Sequence, residues 1–109
     1  MALLKGTLDV LVLKALSWTP MHAFEVATWI ERHSAGQFVV EDAALMQALR
    51  RLEERGLLAA DWGTTENARR AKYYRLTRAG REHLREESRR LADYANALTA
   101  MLKIRSANG

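Results

Sequence analysis

Apolar residues recur at helical spacing from position 7 to 18, where Leu8, Leu11, Val12, Ala15 and Leu16 line one face of a predicted first, buried helix. Thr7 is placed to cap it, and Asp9 falls in the first turn, where the helix dipole favours an acid. Pro20, the only proline, breaks the pattern. Phe24, Val26, Ala27, Trp29 and Ile30 then resume it, predicting a second helix over 21–33. Ser34, Ala35 and Gly36 end that helix, and the β-branched stretch Gln37, Phe38, Val39, Val40 reads as a single short strand. Asp42 can cap a third helix in which Leu45, Ala48, Leu49 and Leu52 share an inner face. Met46, Gln47, Arg50 and Glu54 point the other way, and Gly56 stops the helix.

The pattern then changes. Residues 57–63 and 71–77 are rich in aromatic and branched side chains and flank a polar tip, which predicts a β-hairpin. From Asn67 through Arg81 the basic residues Arg69, Arg70, Lys72, Arg75, Arg78 and Arg81 occur with no acid among them. Such a local field suits a polyanion, although charges on a hairpin also keep a bare edge strand from pairing with other chains. A helix with an exposed basic face followed by a basic hairpin is the order of a winged helix. Trp62 is expected to pack this wing onto the body.

Thr77 can cap a last helix over 78–104. Leu84, Leu91 and Leu98 repeat every seven residues along it, Tyr94 and Met101 form a second pair with that spacing, and Leu102 lies alongside. A helix this long projects beyond a small domain, and its apolar stripe either folds back on its own chain or pairs with a second copy. Pairing as a homodimer is the expectation. The tail, 105–109, is expected to fray. The fold class predicted is therefore mainly α with a small β-hairpin: a winged helix-turn-helix domain over 1–77, then a long C-terminal dimerisation helix and tail over 78–109.

Composition narrows the chemistry. The 109 residues suffice for one domain, and the three bases and three acids of residues 1–40 cancel, so the net charge of +4 belongs to the second half. With no cysteine there is no disulfide, thiolate nucleophile or cysteine-held metal. Asp9 and Lys14 interrupt the N-terminal apolar stretch, which argues against a signal peptide. No run approaches the about 20 apolar residues that span a bilayer, so a cytoplasmic protein with no membrane partner is expected. His22 and Glu25 stand at helical spacing, but no second such pair, phosphate loop or nucleophile context accompanies them. His22, His33 and His83 are expected as caps or surface residues, and neither an enzyme, a metal nor a cofactor is expected.

Three segments carry a resemblance: Leu3 to Asp9 (LLKGTLD), Leu49 to Leu57 (LRRLEERGL) and Arg69 to Gly80 (RRAKYYRLTRAG). Together they resemble the PadR family of bacterial transcriptional regulators, over nearly the whole chain. The resemblance implies a winged helix-turn-helix domain with one C-terminal dimerisation helix, acting as a ligand-responsive repressor on a pseudo-palindromic DNA operator. Double-stranded DNA would meet Gln47 and Arg50, suited to adenine and guanine edges, with Arg69, Arg70 and Lys72 neutralising phosphates. Arg51 either serves the phosphate edge of the third helix or pairs with a nearby glutamate. Trp18 and Trp29 are candidates for binding a small planar effector, with ordinary packing the alternative. Two departures stand out. Family members commonly carry His-Gly-Tyr where this chain has His22, Ala23 and Phe24, and Gly-Ser-Leu-Tyr-Pro-Ala-Leu where it runs from Ala43 to Leu49. Phe24, Ala44 and Met46 thus lack hydroxyls that can donate to phosphates. The alternative reading is a PadR-like dimer that has lost operator recognition and acts through a protein partner or an effector.

Overall fold

The computed structural model describes residues 1–4 and 6–105; Lys5 and residues 106–109, most of the expected frayed tail, lie outside the described residues. The elements are α1 (Thr7–Leu16), β1 (Met21–His22), α2 (Ala23–His33), α3 (Asp42–Glu54), β2 (Leu58–Thr64), β3 (Arg70–Leu76) and α4 (Arg78–Leu102). Three helices and a small antiparallel sheet, ordered β1-β3-β2, enclose one core.

α1 buries Val12, Ala15 and Leu16 of the predicted stripe and also Leu13, which the stripe left out, while Leu8 and Leu11 are half-buried against the same core. Its N-cap is Gly6 rather than Thr7. The chain enters through a left-handed backbone (φ 89°) that glycine adopts without strain, and the Thr7 N–H donates to Leu4 O at 3.0 Å. The helix closes at Leu16, where the N–H groups of Ser17 and Trp18 turn back to Lys14 O and Ala15 O.

The second helix begins two residues later than its periodicity predicts. Met21 and His22 are extended and pair with Tyr74 and Tyr73 of β3. Pro20 cannot donate a helical hydrogen bond, and the sheet offers the following residues a ladder instead. His22 then caps α2: its Nδ1 accepts from the Glu25 N–H at 3.3 Å, and its own N–H donates to Glu25 Oε1 at 3.1 Å.

Residues 37–40 are irregular, not a strand. They pair with no strand among the described residues. Phe38 is tied instead by its N–H to Ser34 Oγ at 3.0 Å, and Phe38 and Val40 rest half-buried on the core. β propensity expresses itself only where a neighbouring strand can exchange hydrogen bonds.

In α3, Leu45, Ala48, Leu49 and Leu52 are buried, while Met46, Gln47, Arg50 and Glu54 face outward. Asp42 is the first helical residue rather than the cap, which is Glu41 without a side-chain bond. Gly56 ends the helix at φ 75°, with the Leu57 N–H on Leu52 O and the Gly56 N–H on Glu53 O.

The wing strands sit one residue from their predicted bounds. Thr77 Oγ1 accepts from the Gly80 N–H at 3.0 Å, and donates to Gly56 O at 2.7 Å, so the cap of α4 also clamps it to the end of α3. Leu84, the first leucine of the predicted dimerisation stripe, is half-buried against the core of its own chain. Beyond it Leu91, Tyr94, Leu98, Met101 and Leu102 are exposed on a helix that stretches the molecule to 63 × 28 × 21 Å. Among the described residues no helix is long and apolar enough to cross a membrane.

Candidate nucleic-acid interface

α3 and the hairpin present one face together. On α3 it carries Met46, Gln47 and Arg50, all exposed. The neighbouring Arg51 turns toward α1, where its Nη2 donates to Asp9 Oδ1 at 2.8 Å, an ion pair with an aspartate rather than with the expected glutamate.

The hairpin brings Arg69 and Arg70 to its tip, where Thr65 closes the turn through its N–H on Arg69 O at 2.8 Å. Lys72 lies two residues nearer the body. There its Nζ donates to Glu53 Oε1 of α3 at 2.9 Å, and this hydrogen bond raises its pKa above the usual lysine range. Arg75 leans on Asp61 at 3.5 Å, an exposed and weak contact. Of the six predicted DNA contacts, Arg51 and Lys72 are therefore held by carboxylates. Arg50, Arg69 and Arg70 have no carboxylate partner among the described residues.

Trp62 does not pack the wing onto the body. It is 61% exposed, directly across from Lys72, with the Arg70 guanidinium 4.6 Å from its ring centroid. The hairpin's core contacts are at its other end, at Leu58, Tyr74 and Leu76, and the strand pair has left the body by the time it reaches Trp62. A cleft of about 580 Å³ opens between this side of the wing and the helices, bounded by His22, Phe24, Met46, Trp62, Arg69 and Arg70 among others.

Known proteins share both the sequence pattern and this architecture. The model of the Transcriptional regulator PadR-like family matches residues 12–86. The chain belongs to this family. Its fold matches a transcriptional regulator from Clostridium thermocellum with a TM-score of 0.82 at 22% identity, over 91% of this chain and 96% of that one. A PadR family transcriptional regulator from Eggerthella lenta is 30% identical with a TM-score of 0.78, over 93% of this chain and 86% of the other. An uncharacterized protein of Lysinibacillus sphaericus is 26% identical over 84 residues, 77% of each chain. The protein is thus a PadR-like, DNA-binding transcription regulator with a winged helix fold.

The two tryptophans expected to bind an effector are not brought into one lining by this PadR-like chain. Trp18 is exposed just past α1. Trp29 stacks on His33, ring centroids 4.1 Å apart, and borders a separate cleft of about 280 Å³ with Met21, Phe24 and Arg32, in which Trp18 takes no part. Among the described residues no group of three or more histidines and carboxylates is placed to hold a metal.

Sequence reasoning missed two residues of this interface. Glu53 cancels Lys72, and Trp62 stays outside. The position of Trp62 near the tip, beyond the last core residues of the hairpin, was a usable signal. The pairing of Glu53 with Lys72 left none, because it depends on how α3 docks on the sheet.

Proposed function

We propose that this regulator acts as a homodimer on a pseudo-palindromic operator, with residues 1–77 as the DNA-binding unit and residues 78–109 as the dimerisation helix and tail. α3 enters the major groove with Gln47 on adenine and Arg50 on guanine, and the wing reaches the backbone or the neighbouring minor groove. The observation that carries this reading is that Arg69 and Arg70 border, with Met46 of α3, the cleft between the wing and the helices, and that among the described residues neither they nor the exposed Arg50 of α3 pair with a carboxylate. The apolar stripe of Leu91, Tyr94, Leu98, Met101 and Leu102 supports a second copy as the partner of α4. Occupying a promoter in the cytoplasm, the dimer represses; a small planar effector, for which Trp29 rather than Trp18 borders a cleft, relieves repression by changing the tilt of the two α3 helices.

The test is binding of the protein to a labelled duplex from its own upstream region, beside a random duplex of equal length, in a salt series. Three free cations in each of two copies set an upper slope of log K against log salt of about −5. The double change Arg69→Ala with Arg70→Ala is expected to cut that slope to about −2. Weak binding, equal for the two duplexes, would instead assign the molecule to a protein partner or an effector. A loss of activity on Met46→Glu with the double alanine variant unaffected would do the same.

A further inference from the structure

Three large apolar side chains stand exposed around one cleft. Phe24 is 76% exposed, Met46 45% and Trp62 61%. They come from three elements: the first turn of α2, the outer face of α3 and the wing. None of them contributes to the core. Exposed apolar groups cost solubility, and three of them converging on one concavity mark a contact surface.

The rim says what the contact is. Arg69 and Arg70 border the same cleft, and the carboxylate of Glu53 is taken up by Lys72. Arg70 is held by the indole of Trp62 rather than by an acid, so its charge stays available while its position is restricted. An occupant must therefore be anionic at intervals and apolar between. The cleft also lies between α3 and the wing, so a duplex with α3 in one groove and the wing in the next must pass one of its strands through it.

We propose that this cleft grips one sugar–phosphate strand of the duplex, with Phe24, Met46 and Trp62 packed on the carbon faces of deoxyribose and Arg70, positioned by Trp62, on the adjoining phosphate. The proposal rests on the DNA-binding reading above. Phe24, Met46 and Trp62 offer carbon surface to the carbon faces of the sugar, while Arg69, Arg70 and Lys72 line the same cleft for its phosphates. A grip on sugar and phosphate holds the protein on the duplex without reading sequence. Its apolar part is insensitive to salt.

The test measures dissociation constants by fluorescence anisotropy for the upstream duplex and the random duplex, in a salt series, with wild type, Trp62→Ala, Trp62→Phe and Phe24→Ala. Trp62→Ala is expected to raise Kd about ten-fold on both duplexes, with the salt slope kept within about one unit of wild type. Trp62→Phe, which keeps a ring, recovers most of the loss. Phe24→Ala, on the opposite wall, loses about as much and carries the test if Trp62→Ala disturbs the wing. A Trp62→Ala protein that binds both duplexes as wild type does overturns the proposal and leaves the DNA-binding reading standing. A loss confined to the upstream duplex also overturns it, because Trp62 would then be reading bases. If wild type binds neither duplex, the proposal and the reading beneath it both fall.

Discussion

Glu53→Gln isolates the ion pair that ties Lys72 of the wing to α3 on the proposed DNA-binding face. Glutamine keeps the size of the side chain and an acceptor for Lys72 Nζ, now 2.9 Å from Glu53 Oε1, and deletes the charge. Both partners are 36% exposed, so the pair is screened and its loss costs less than about 1 kcal/mol of stability. Because the hydrogen bond to Glu53 raises the Lys72 pKa above 10.5, the stability it adds is fully present below that value. It is lost only as pH climbs through the higher folded value, so assays near neutrality start from an intact pair. The face gains one positive charge per chain and two in the proposed dimer. If each freed lysine meets a phosphate, the salt slope steepens by about 1.8, and at roughly 0.15 M salt each contact is worth about five-fold, so the dimer binds about 25-fold more tightly. Anisotropy titrations of Glu53→Gln and of Glu53→Gln with Lys72→Ala decide the matter, since the second change must cancel the gain. Unchanged affinity and slope in a folded Glu53→Gln protein would refute the reasoning: Lys72 would not be a phosphate contact held in check.

Two further perturbations probe how the face is supported. A methyl on Gly80 would overlap Leu57 O and sit 3.1 Å from both Leu57 C and Leu76 Cδ2. Gly80→Ala gains at most about 1 kcal/mol of helix propensity. It loses about 1–3 kcal/mol to overpacking and about 1 kcal/mol through the Thr77 N–H bond to Leu57 O, so the thermal midpoint should fall by about 10 °C at fixed protein concentration. A midpoint at or above wild type would mean that α4 can shift its root freely. His22→Ala removes the imidazole half of the α2 capping box, the Glu25 N–H bond to Nδ1, while the backbone N–H of residue 22 can still donate to Glu25; it should cost about 1 kcal/mol in urea denaturation, with His22→Asn retaining most of the stability. Equal stability of the alanine variant would show the cap to be redundant.

What the sequence by itself determined is whatever depends on near neighbours. The buried faces of α1 and α3 follow from spacing, since Leu45, Leu49 and Leu52 can share a side only on a helix. Gly56 and Thr77 mark a stop and a start because each acts on backbone groups within a few residues. The wing and its basic tip are legible for the same reason. The tertiary structure decided which of those features are free to act. Arg51 is held by Asp9, 42 positions away, and Lys72 by Glu53, 19 away. Met21 and His22 leave the predicted helix because β3 offers them a ladder, and residues 37–40 find none. Leu84 packs half-buried against the core and Trp62 stays on the surface, although their residue types alone would suggest similar fates. Periodicity states which side of an element is apolar. Which distant element arrives to cover that side, or to neutralise a charge on it, is set by docking.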